Sequence, residues 1–229
     1  MTHRIEIPPG CSVAWAGRDR FEALASLPAH PTEEQSINGA GSRRKEEFRV
    51  GRHLARQALA AFGLQNETLE RLVWGAPQWP AGVVGSISHH ERHAVAVVAK
   101  RSFVAGLGID LTADAPLTPA ACDALKHPSD RTIGWVPTKE TPVAFSDVSR
   151  MMFSAREAAC KAMASNARPP INDIAIALET TGHFSATFHG EHRYVRTRHA
   201  RGVVLPKGDL VMSLAWWGPG NPAPLSDTT

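Results

Sequence analysis

Three short apolar runs lie close together in the middle of the chain, and they limit its possible folds more than any other feature. The runs cover residues 83–88, 94–99 and 104–111, and only short polar turns separate them. Valine-rich runs of this length, bounded by turn residues, are typical of strands. Strands joined by such short turns pair antiparallel. This part of the chain is therefore predicted to form a sheet.

Helical patterns accompany the strands in both halves of the chain. Apolar residues recur at helical spacing over 42–62, where Gly63 is a natural end, and a second helix is predicted over 154–165. More short strands are predicted after residue 172, whereas residues 1–41 are predicted to be rich in loops. The sequence thus predicts an α+β fold of two similar lobes, with mainly antiparallel strands and packed helices. The predicted parts are an N-terminal lobe at 1–105, a C-terminal lobe at 106–217 and a flexible tail at 218–229.

The composition and charge exclude some classes of protein. Hydrophobic residues make up 43% and charged residues 21% of the 229 residues, a mix typical of a globular protein with a buried core. The formal net charge of +3 requires neither a nucleic acid nor a membrane as partner. The positions of the basic residues are therefore more informative than their number.

Several features predict a soluble, cytoplasmic protein. The apolar run at 94–99 has six residues, far fewer than the roughly 20 that span a bilayer. The N-terminus carries no apolar segment typical of a secretory signal. Cys11, Cys122 and Cys160 are too far apart to indicate a disulfide framework or a cysteine-rich zinc site, and they suit a reducing compartment.

Asp110 is the first candidate functional residue. Side chains alternate along a strand, so Asp110 and Thr112 are expected to point to the same side. A carboxylate at the end of an apolar strand is costly to bury unless it is paired or binds a cation. The alternative is that Asp110 caps a turn, and the residues by themselves favour that interpretation.

The segment from Ser154 to Lys161 allows two interpretations. Ser154 and Glu157 have the spacing of a capping box, and Glu157 and Lys161 have the spacing of an ordinary helical ion pair. In the other interpretation, Glu157 and Lys161 lie on one helix face and reach a shared ligand. The acid would then bind a metal and the amine would bind a phosphate. The spacing leaves both interpretations open.

Histidines and arginines provide the remaining candidates. His89 follows a predicted strand and has no cysteine or acid nearby to complete a zinc site, so a hydrogen-bonding or phosphate-binding role is favoured. Arg44, Arg52 and Arg56 are spaced by nearly whole helical turns. They form either a solvated charged face or a phosphate clamp, because a guanidinium group can bind two phosphate oxygens at once. Nucleic-acid binding is a third possibility, which no aromatic stacking platform supports.

Taken together, four segments resemble the 4′-phosphopantetheinyl transferases of the surfactin and enterobactin synthetase type. The resemblance implies a pseudo-dimeric fold, in which a pseudo-twofold axis relates the two lobes and coenzyme A binds between them. It also implies an enzyme of the holo-[acyl-carrier-protein] synthase type. Such an enzyme uses Mg²⁺ to transfer the phosphopantetheine group to a carrier serine and releases adenosine 3′,5′-bisphosphate. The segments occur in the family's order and are RRKEEFRVGRHLARQAL (43–59), PQWPAGVVGSISH (77–89), GLGIDLT (106–112) and FSAREAACKA (153–162).

The same resemblance implies roles for individual residues. Asp110, Glu157 and Thr112 stand at or near the family's metal-ligand positions. The expected catalytic residues are Glu157, Lys161 and His89. Glu157, or a water that it orients, would accept the serine proton, and Lys161 would neutralise the pyrophosphate. The predicted coenzyme-binding residues are Arg44 and Arg52 for the 3′-phosphate, together with Ser88, His89, Arg156 and Lys161.

Two positions depart from the family's pattern. Thr112 stands where many members carry a second acid, so water or a substrate oxygen is expected to complete the metal shell. Gly75 and Ala76 stand where a basic residue is common, and Arg71 or Arg18 are candidates to replace it. These departures leave an alternative open, a coenzyme A- or nucleotide-binding homologue that has lost the reaction.

The resemblance also implies the partners. Acyl or peptidyl carrier proteins of fatty acid, polyketide or nonribosomal peptide synthesis would dock on the C-terminal lobe, which would also hold the metal. Siderophore or secondary metabolite biosynthesis is the expected setting. We expect a monomer with no nucleic-acid or membrane partner.

Overall fold

The computed structural model of the protein describes residues 8, 10–72, 75–134, 148–163, 170–191, 195 and 197–218. The predicted flexible tail, apart from Gly218, lies outside the described residues. The helices and strands are, in chain order, β1 (Cys11–Ala16), α1 (Arg18–Ala25), α2 (Pro31–Gln35), α3 (Ser42–Leu59), β2 (Val83–His90), β3 (His93–Lys100), β4 (Gly106–Ala113), α4 (Pro119–Leu125), β5 (Arg131–Ile133), α5 (Val148–Met163), β6 (Ile174–Glu179), β7 (His183–Phe188), β8 (His199–Lys207) and β9 (Leu210–Trp217).

The first sheet has the strand order β1-β3-β2 and carries α3 on one face. Both strand pairs in this sheet are antiparallel. Val50, Leu54 and Ala58 recur at intervals of four residues on α3, and they pack against Ala96 and Val98 of β3. The apolar stripe of the helix therefore covers the apolar face of the sheet.

The second sheet has the order β4-β9-β8-β7-β6-β5 and carries α5. Among the described strand pairs of this sheet, only β5 and β6 run parallel. Met151, Ala155 and Ala159 of α5 pack with Ile176 of β6 and Val211 of β9. The small alanine side chains allow the helix to lie close to the sheet.

The two sheets also pack against each other, so the layers run from α3 through the first sheet and the second sheet to α5. Ala96 of β3 faces α3, whereas Val95 and Val97 pack with Leu107 and Ile109 between the sheets. Because β3 is buried on both faces, its sequence is apolar throughout. The predicted α+β fold with mainly antiparallel strands is confirmed. The pseudo-twofold relation and the division at residue 105 stay predictions.

The structure corrects two predictions about secondary structure. Within residues 8 and 10–41, the part of this range that the structure describes, most residues belong to β1, α1 and α2 and not to loops. The second long helix already includes Val148, so Ser154 lies inside it and is fully buried. A capping box formed by Ser154 and Glu157 is therefore wrong. Among the described residues, no helix is both long and apolar enough to cross a membrane.

Two glycines allow β4 to approach α5 closely. A Cβ atom added to Gly108 would collide with the backbone of Ala158 and Ala162, and one added to Gly106 would also meet the carbonyl oxygen of Ala162. This contact brings the next residues of β4, including Asp110, against the same helix.

We predict that Gly108→Ala lowers the free energy of unfolding by about 1–3 kcal/mol, the usual cost of overpacking a core. Gly39→Ala is the matched control, because nothing lies within 4 Å of a Cβ atom added at that position. The control should change stability by less than about 0.5 kcal/mol. Urea unfolding followed by circular dichroism measures the free energy of unfolding of both variants. Equal values for Gly108→Ala and Gly39→Ala would contradict the close contact of β4 with α5.

Candidate functional site

A cleft of about 550 Å³ lies where the two sheets meet. One wall comes from α3 and the segment 75–79, and the other comes from the start of β4 and the last turn of α5. Residues of β2 lie between these walls. The cleft therefore draws on both sheets and on both long helices.

One stripe of α3 lines the cleft. It consists of residues at helical spacing, namely Arg44, Glu47, Phe48, Gly51 and Arg52. As their spacing predicts, Arg44 and Arg52 lie on the same side of the helix. A cationic stripe of this kind suits a ligand that carries phosphates.

The other arginines of α3 serve a structural contact. Arg49 and Arg56 pair with Glu34 and Glu33 of α2, at 2.8 Å and 2.9 Å. The two arginines are seven residues apart and so lie on one side of α3, and neither of them lines the cleft. Arg56 follows Arg52 by one helical turn, but it pairs with Glu33 and does not line the cleft as Arg44 and Arg52 do.

Arg52 is only 3% exposed and is held at two points. Its Nε donates a hydrogen bond to the carbonyl oxygen of Leu69 at 2.9 Å, and its guanidinium lies 4.3 Å from the centre of the Phe48 ring. Nη2 is buried and has no hydrogen-bond partner within the described parts of the chain. Burial lowers the pKa of Arg52 to about 10, so it stays charged at neutral pH. A buried cation with an unused donor suits an anionic ligand.

His89 stands beside Arg44 and Glu47. Arg44 Nη1 lies 3.3 Å from His89 Nε2, and because a guanidinium only donates, that ring nitrogen accepts the hydrogen bond. The ring proton then lies on Nδ1, 3.6 Å from Glu47 Oε1. Burial lowers the pKa of His89, Glu47 raises it, and the positive charges of Arg44 and Lys161 lower it. His89 is thus a neutral hydrogen-bonding group at neutral pH.

Asp110 lies at the centre of a polar cluster between β4, α5 and β2. Lys161 Nζ pairs with Asp110 Oδ1 at 2.9 Å. The hydroxyl of Ser154 donates to Oδ2 at 3.1 Å, and that of Ser88 donates to Oδ1 at 3.3 Å. The turn-capping alternative for Asp110 is therefore wrong, because the carboxylate is buried and paired.

Lys161 connects this cluster to the cleft. Its ammonium group also donates to the carbonyl oxygen of Ile109 at 2.8 Å and to Ser88 Oγ at 3.2 Å, and the residue lines the cleft. Lys161 is thus largely buried and does not form an ordinary ion pair on the surface. Its charge is held where the cleft meets the buried carboxylate.

Glu157 lies on the same stripe of α5 as the two residues that bind Asp110. It follows Ser154 by three residues and precedes Lys161 by four, which are the spacings of one helix face. Glu157 is half-buried. The helical spacing therefore brings the second predicted metal ligand to the side of α5 that faces Asp110.

The donor set can be compared with the needs of Mg²⁺. Within the described residues, no three His, Cys, Asp or Glu side chains group so that they could hold a metal ion by themselves. Mg²⁺ does not need such a group, because it commonly binds one or two carboxylates together with water and substrate phosphates. A buried Asp110 and a half-buried Glu157 offer such carboxylates, but Lys161 already pairs with Oδ1 of Asp110, so a metal would bind Asp110 through Oδ2 or displace this ammonium group.

Thr112 has a neighbour that works against direct metal binding. Arg150 Nη1 lies 3.4 Å from Thr112 Oγ1 and donates to it, and Arg150 Nε donates to the carbonyl oxygen of Ala115 at 2.8 Å. A guanidinium at this distance repels a divalent cation. Direct binding of the metal by Thr112 therefore stays a prediction. The contact with Arg150 does not favour it.

Two residues predicted to bind coenzyme lie elsewhere. Arg156 is 2% exposed, pairs with Asp130 and donates to the carbonyl oxygen of Ile174 at 2.7 Å. It is one residue away from Glu157 and therefore points about 100° around the helix, into the second sheet rather than the cleft. Ser88 is buried behind the cleft wall, where it orders Asp110 and Lys161.

Some residues of the site were missed by sequence reasoning. Glu47 and Phe48 lie between Arg44 and Arg52, and only the helical spacing could have indicated that they share the cleft face. The guanidinium of Arg71 lies 3.6 Å from the position of a Cβ atom on Gly75. Of the two candidates for the missing basic residue, Arg71 is thus the one beside this position.

Comparison with known proteins gives consistent matches. Residues 32–99 match the family described as the 4′-phosphopantetheinyl transferase N-terminal domain. The 4′-phosphopantetheinyl transferase Npt of Nocardia iowensis is 35% identical over 150 residues, which cover 64% of this chain and 65% of that protein. The 4′-phosphopantetheinyl transferase Svp of Streptomyces mobaraensis is 35% identical over 58% of this chain and 53% of its own length.

A third relative is the 4′-phosphopantetheinyl transferase PptT of Mycobacterium tuberculosis. It is 33% identical over 132 residues, which cover 58% of this chain and 56% of PptT. The chain thus spans between about half and two thirds of the length of the curated relatives that it matches.

The charges around His89 predict opposite effects of two substitutions. Glu47→Gln should lower the pKa of His89 further, because it removes the carboxylate that raises it, whereas Arg44→Met should raise this pKa by removing a positive charge. An NMR titration of the His89 ring protons measures both shifts. Shifts of the same sign in the two variants would contradict the arrangement.

Proposed function

The chain belongs to the 4′-phosphopantetheinyl transferase superfamily, and from that membership we propose that it is an active transferase. It would move the 4′-phosphopantetheine group of coenzyme A to a serine hydroxyl of an acyl or peptidyl carrier protein. One observation carries the proposal beyond membership of the superfamily. A single cleft combines arginines suited to phosphates with Lys161, whose ammonium group pairs with the buried Asp110 beside the cleft.

Arg44, Arg52 and His89 are the proposed binding groups for the phosphates of coenzyme A. Their support is the shared cleft and the unused Nη2 of Arg52. We assign the 3′-phosphate to the two arginines, because a planar guanidinium can donate two parallel hydrogen bonds to phosphate oxygens. His89 would donate its single ring proton, on Nδ1, to a phosphate without adding charge, and for this the N–H must turn from Glu47 to the phosphate oxygen. Arg71, beside Gly75, is the proposed replacement for the missing basic residue.

Mg²⁺ is the proposed metal, with Asp110 and Glu157 as its protein ligands. Water and phosphate oxygens of the coenzyme would complete the shell. When bound, the ion offsets negative charge on the oxygens of the pyrophosphate. The hydrogen bond from Ser154 keeps the carboxylate of Asp110 oriented toward α5.

The proposed reaction is an attack on the pyrophosphate by the carrier serine. The serine oxygen bonds to the phosphorus that bears the pantetheine arm, and the bond from this phosphorus to the bridging oxygen breaks. Adenosine 3′,5′-bisphosphate leaves with that oxygen. Glu157, or a water that it orients, accepts the serine proton. Lys161 stabilises the charge on the leaving group.

A coenzyme-binding homologue without transferase activity is the second candidate. The contact between Arg150 and Thr112 favours it, because a guanidinium lies beside the position where many family members carry a second acid. The two candidates agree on coenzyme binding and differ in transfer. An assay of transfer therefore separates them.

The direct test incubates the protein with coenzyme A, Mg²⁺ and a panel of apo carrier proteins, followed by mass spectrometry of the carriers. We expect at least one carrier to gain the mass of one phosphopantetheine group, and to gain nothing when coenzyme A is omitted. Coenzyme binding without any gain of mass on the whole panel would favour the second candidate. Such a result would overturn the proposed activity.

Glu157→Gln should lower kcat about 100-fold or more and change KM for coenzyme A little, because a general base acts in the transition state. Glu179→Gln is the matched control, since Glu179 ends β6 and does not line the cleft. Steady-state kinetics with a carrier from the panel measures both variants. A change in KM alone would remove Glu157 from the chemical step.

Arg52→Met should weaken the binding of coenzyme A about tenfold or more, because a charged hydrogen bond contributes about 1.5–3 kcal/mol. Binding of 3′-dephospho-coenzyme A should change less than about twofold, since the partner phosphate is missing. Arg49→Met is the control, because Arg49 pairs with Glu34 away from the cleft. Isothermal titration calorimetry measures the affinity of the wild type, Arg52→Met and Arg49→Met for both ligands. If Arg52→Met weakens the binding of both ligands equally, Arg52 does not bind the 3′-phosphate and contacts another part of the coenzyme.

A further inference from the structure

Glu33 of α2 is a buried carboxylate that does not line the cleft. It is 1% exposed, and its oxygens accept several hydrogen bonds that replace lost hydration. Arg56 Nη1 donates to both oxygens at 2.9 Å. The backbone N–H of Leu69 donates to Oε1 at 2.8 Å, and that of His30 donates to Oε2 at 3.1 Å. Glu33 therefore fixes one residue of a distant loop, Leu69, as well as its own helix.

Leu69 connects Glu33 to the cleft. Its N–H binds Glu33, and its carbonyl oxygen accepts the hydrogen bond from Arg52 Nε at 2.9 Å. A guanidinium group is planar and rigid. Once Nε is fixed and the plane lies over Phe48, the direction of Nη2 is fixed as well. The unused donor of Arg52 therefore depends on the position of Leu69.

From this series of contacts we infer that Glu33 is a positioning residue that directs Arg52 toward a phosphate group in the cleft. Glu33 acts through Leu69, its negative charge also raises the pKa of Arg52, and it does not line the cleft. The identity of the phosphate rests on the proposed coenzyme binding, whereas the positioning of Arg52 does not. A small misplacement of a binding group weakens its interaction strongly. The loss of Glu33 should therefore weaken the binding of a phosphate by Arg52.

The neighbouring residue, Glu34, provides a matched control. Glu34 also joins α2 to α3, through two hydrogen bonds from Arg49 at 2.8 Å and 3.0 Å. It accepts a hydrogen bond from the backbone of Ala29 at 2.8 Å. None of these three hydrogen bonds reaches Leu69 or Arg52. Both acids thus stabilise the same helix pair, but only the contacts of Glu33 lead to the cleft.

The first test measures binding of coenzyme A and of 3′-dephospho-coenzyme A by isothermal titration calorimetry. Glu33→Ala should weaken coenzyme A about tenfold and the dephospho form less than about twofold, whereas Glu34→Ala should leave both unchanged. Glu33→Gln should recover most of the affinity, because its amide oxygen can still accept from Leu69. The inference would be overturned if a folded Glu33→Ala protein kept the wild-type ratio of affinities for coenzyme A and 3′-dephospho-coenzyme A. If that variant does not fold, Glu33→Asp replaces it, since its carboxylate is one methylene shorter.

The second test needs no ligand. The Nε–H resonance of Arg52, assigned by its loss in Arg52→Lys, should exchange slowly with solvent in the wild type and in Glu34→Ala. It should exchange much faster in Glu33→Ala or Glu33→Asp. Slow exchange in the Glu33 variant would overturn the positioning role. If the wild type does not bind coenzyme A, the proposed function fails, but this exchange measurement still decides the role of Glu33.

Discussion

The buried ion pair between Asp110 and Lys161 holds together the part of the fold on which the candidate site depends. Burying a carboxylate costs several kcal/mol unless new bonds replace its hydration. Lys161 supplies the opposite charge, and the hydroxyls of Ser154 and Ser88 complete the set. Ser88 belongs to the first sheet, whereas the other three residues belong to the second sheet and its helix. The same bonds that compensate the charge therefore join both sheets beside the cleft.

The helix α3 divides its charges between structure and ligand binding. The arginines that face α2 are neutralised by Glu33 and Glu34, while Arg44 and Arg52 face the cleft. The net charge of +3 is thus not spread evenly over the surface. Part of it is concentrated where a phosphate ligand would bind, and the acids of α2 hold the helix in place.

Long periodic elements could be predicted from the sequence, because their spacing is a local property. The predicted helix over 42–62 is observed as α3 followed by a short 3₁₀ turn, and Gly63 ends it with a φ of 74°. The burial of Lys161 could not be predicted, because it depends on the contact of β4 with α5 at Gly108. The place of Arg156 outside the cleft lining could not be predicted, because the motif around it does not tell which side of the helix faces the cleft. The strand β1 was missed since it is short and pairs with β3, which lies far away in sequence.

The central claim is that coenzyme A binds in the cleft between the two sheets, with its phosphates against α3 and its pyrophosphate beside the Asp110 cluster. A crystal structure determined with coenzyme A and Mg²⁺ tests this claim most directly. The account predicts the 3′-phosphate at Arg44 and Arg52, and the pyrophosphate within reach of Lys161 with the metal at Asp110 and Glu157. Coenzyme A bound outside this cleft, or bound there with its 3′-phosphate away from both arginines, would contradict it.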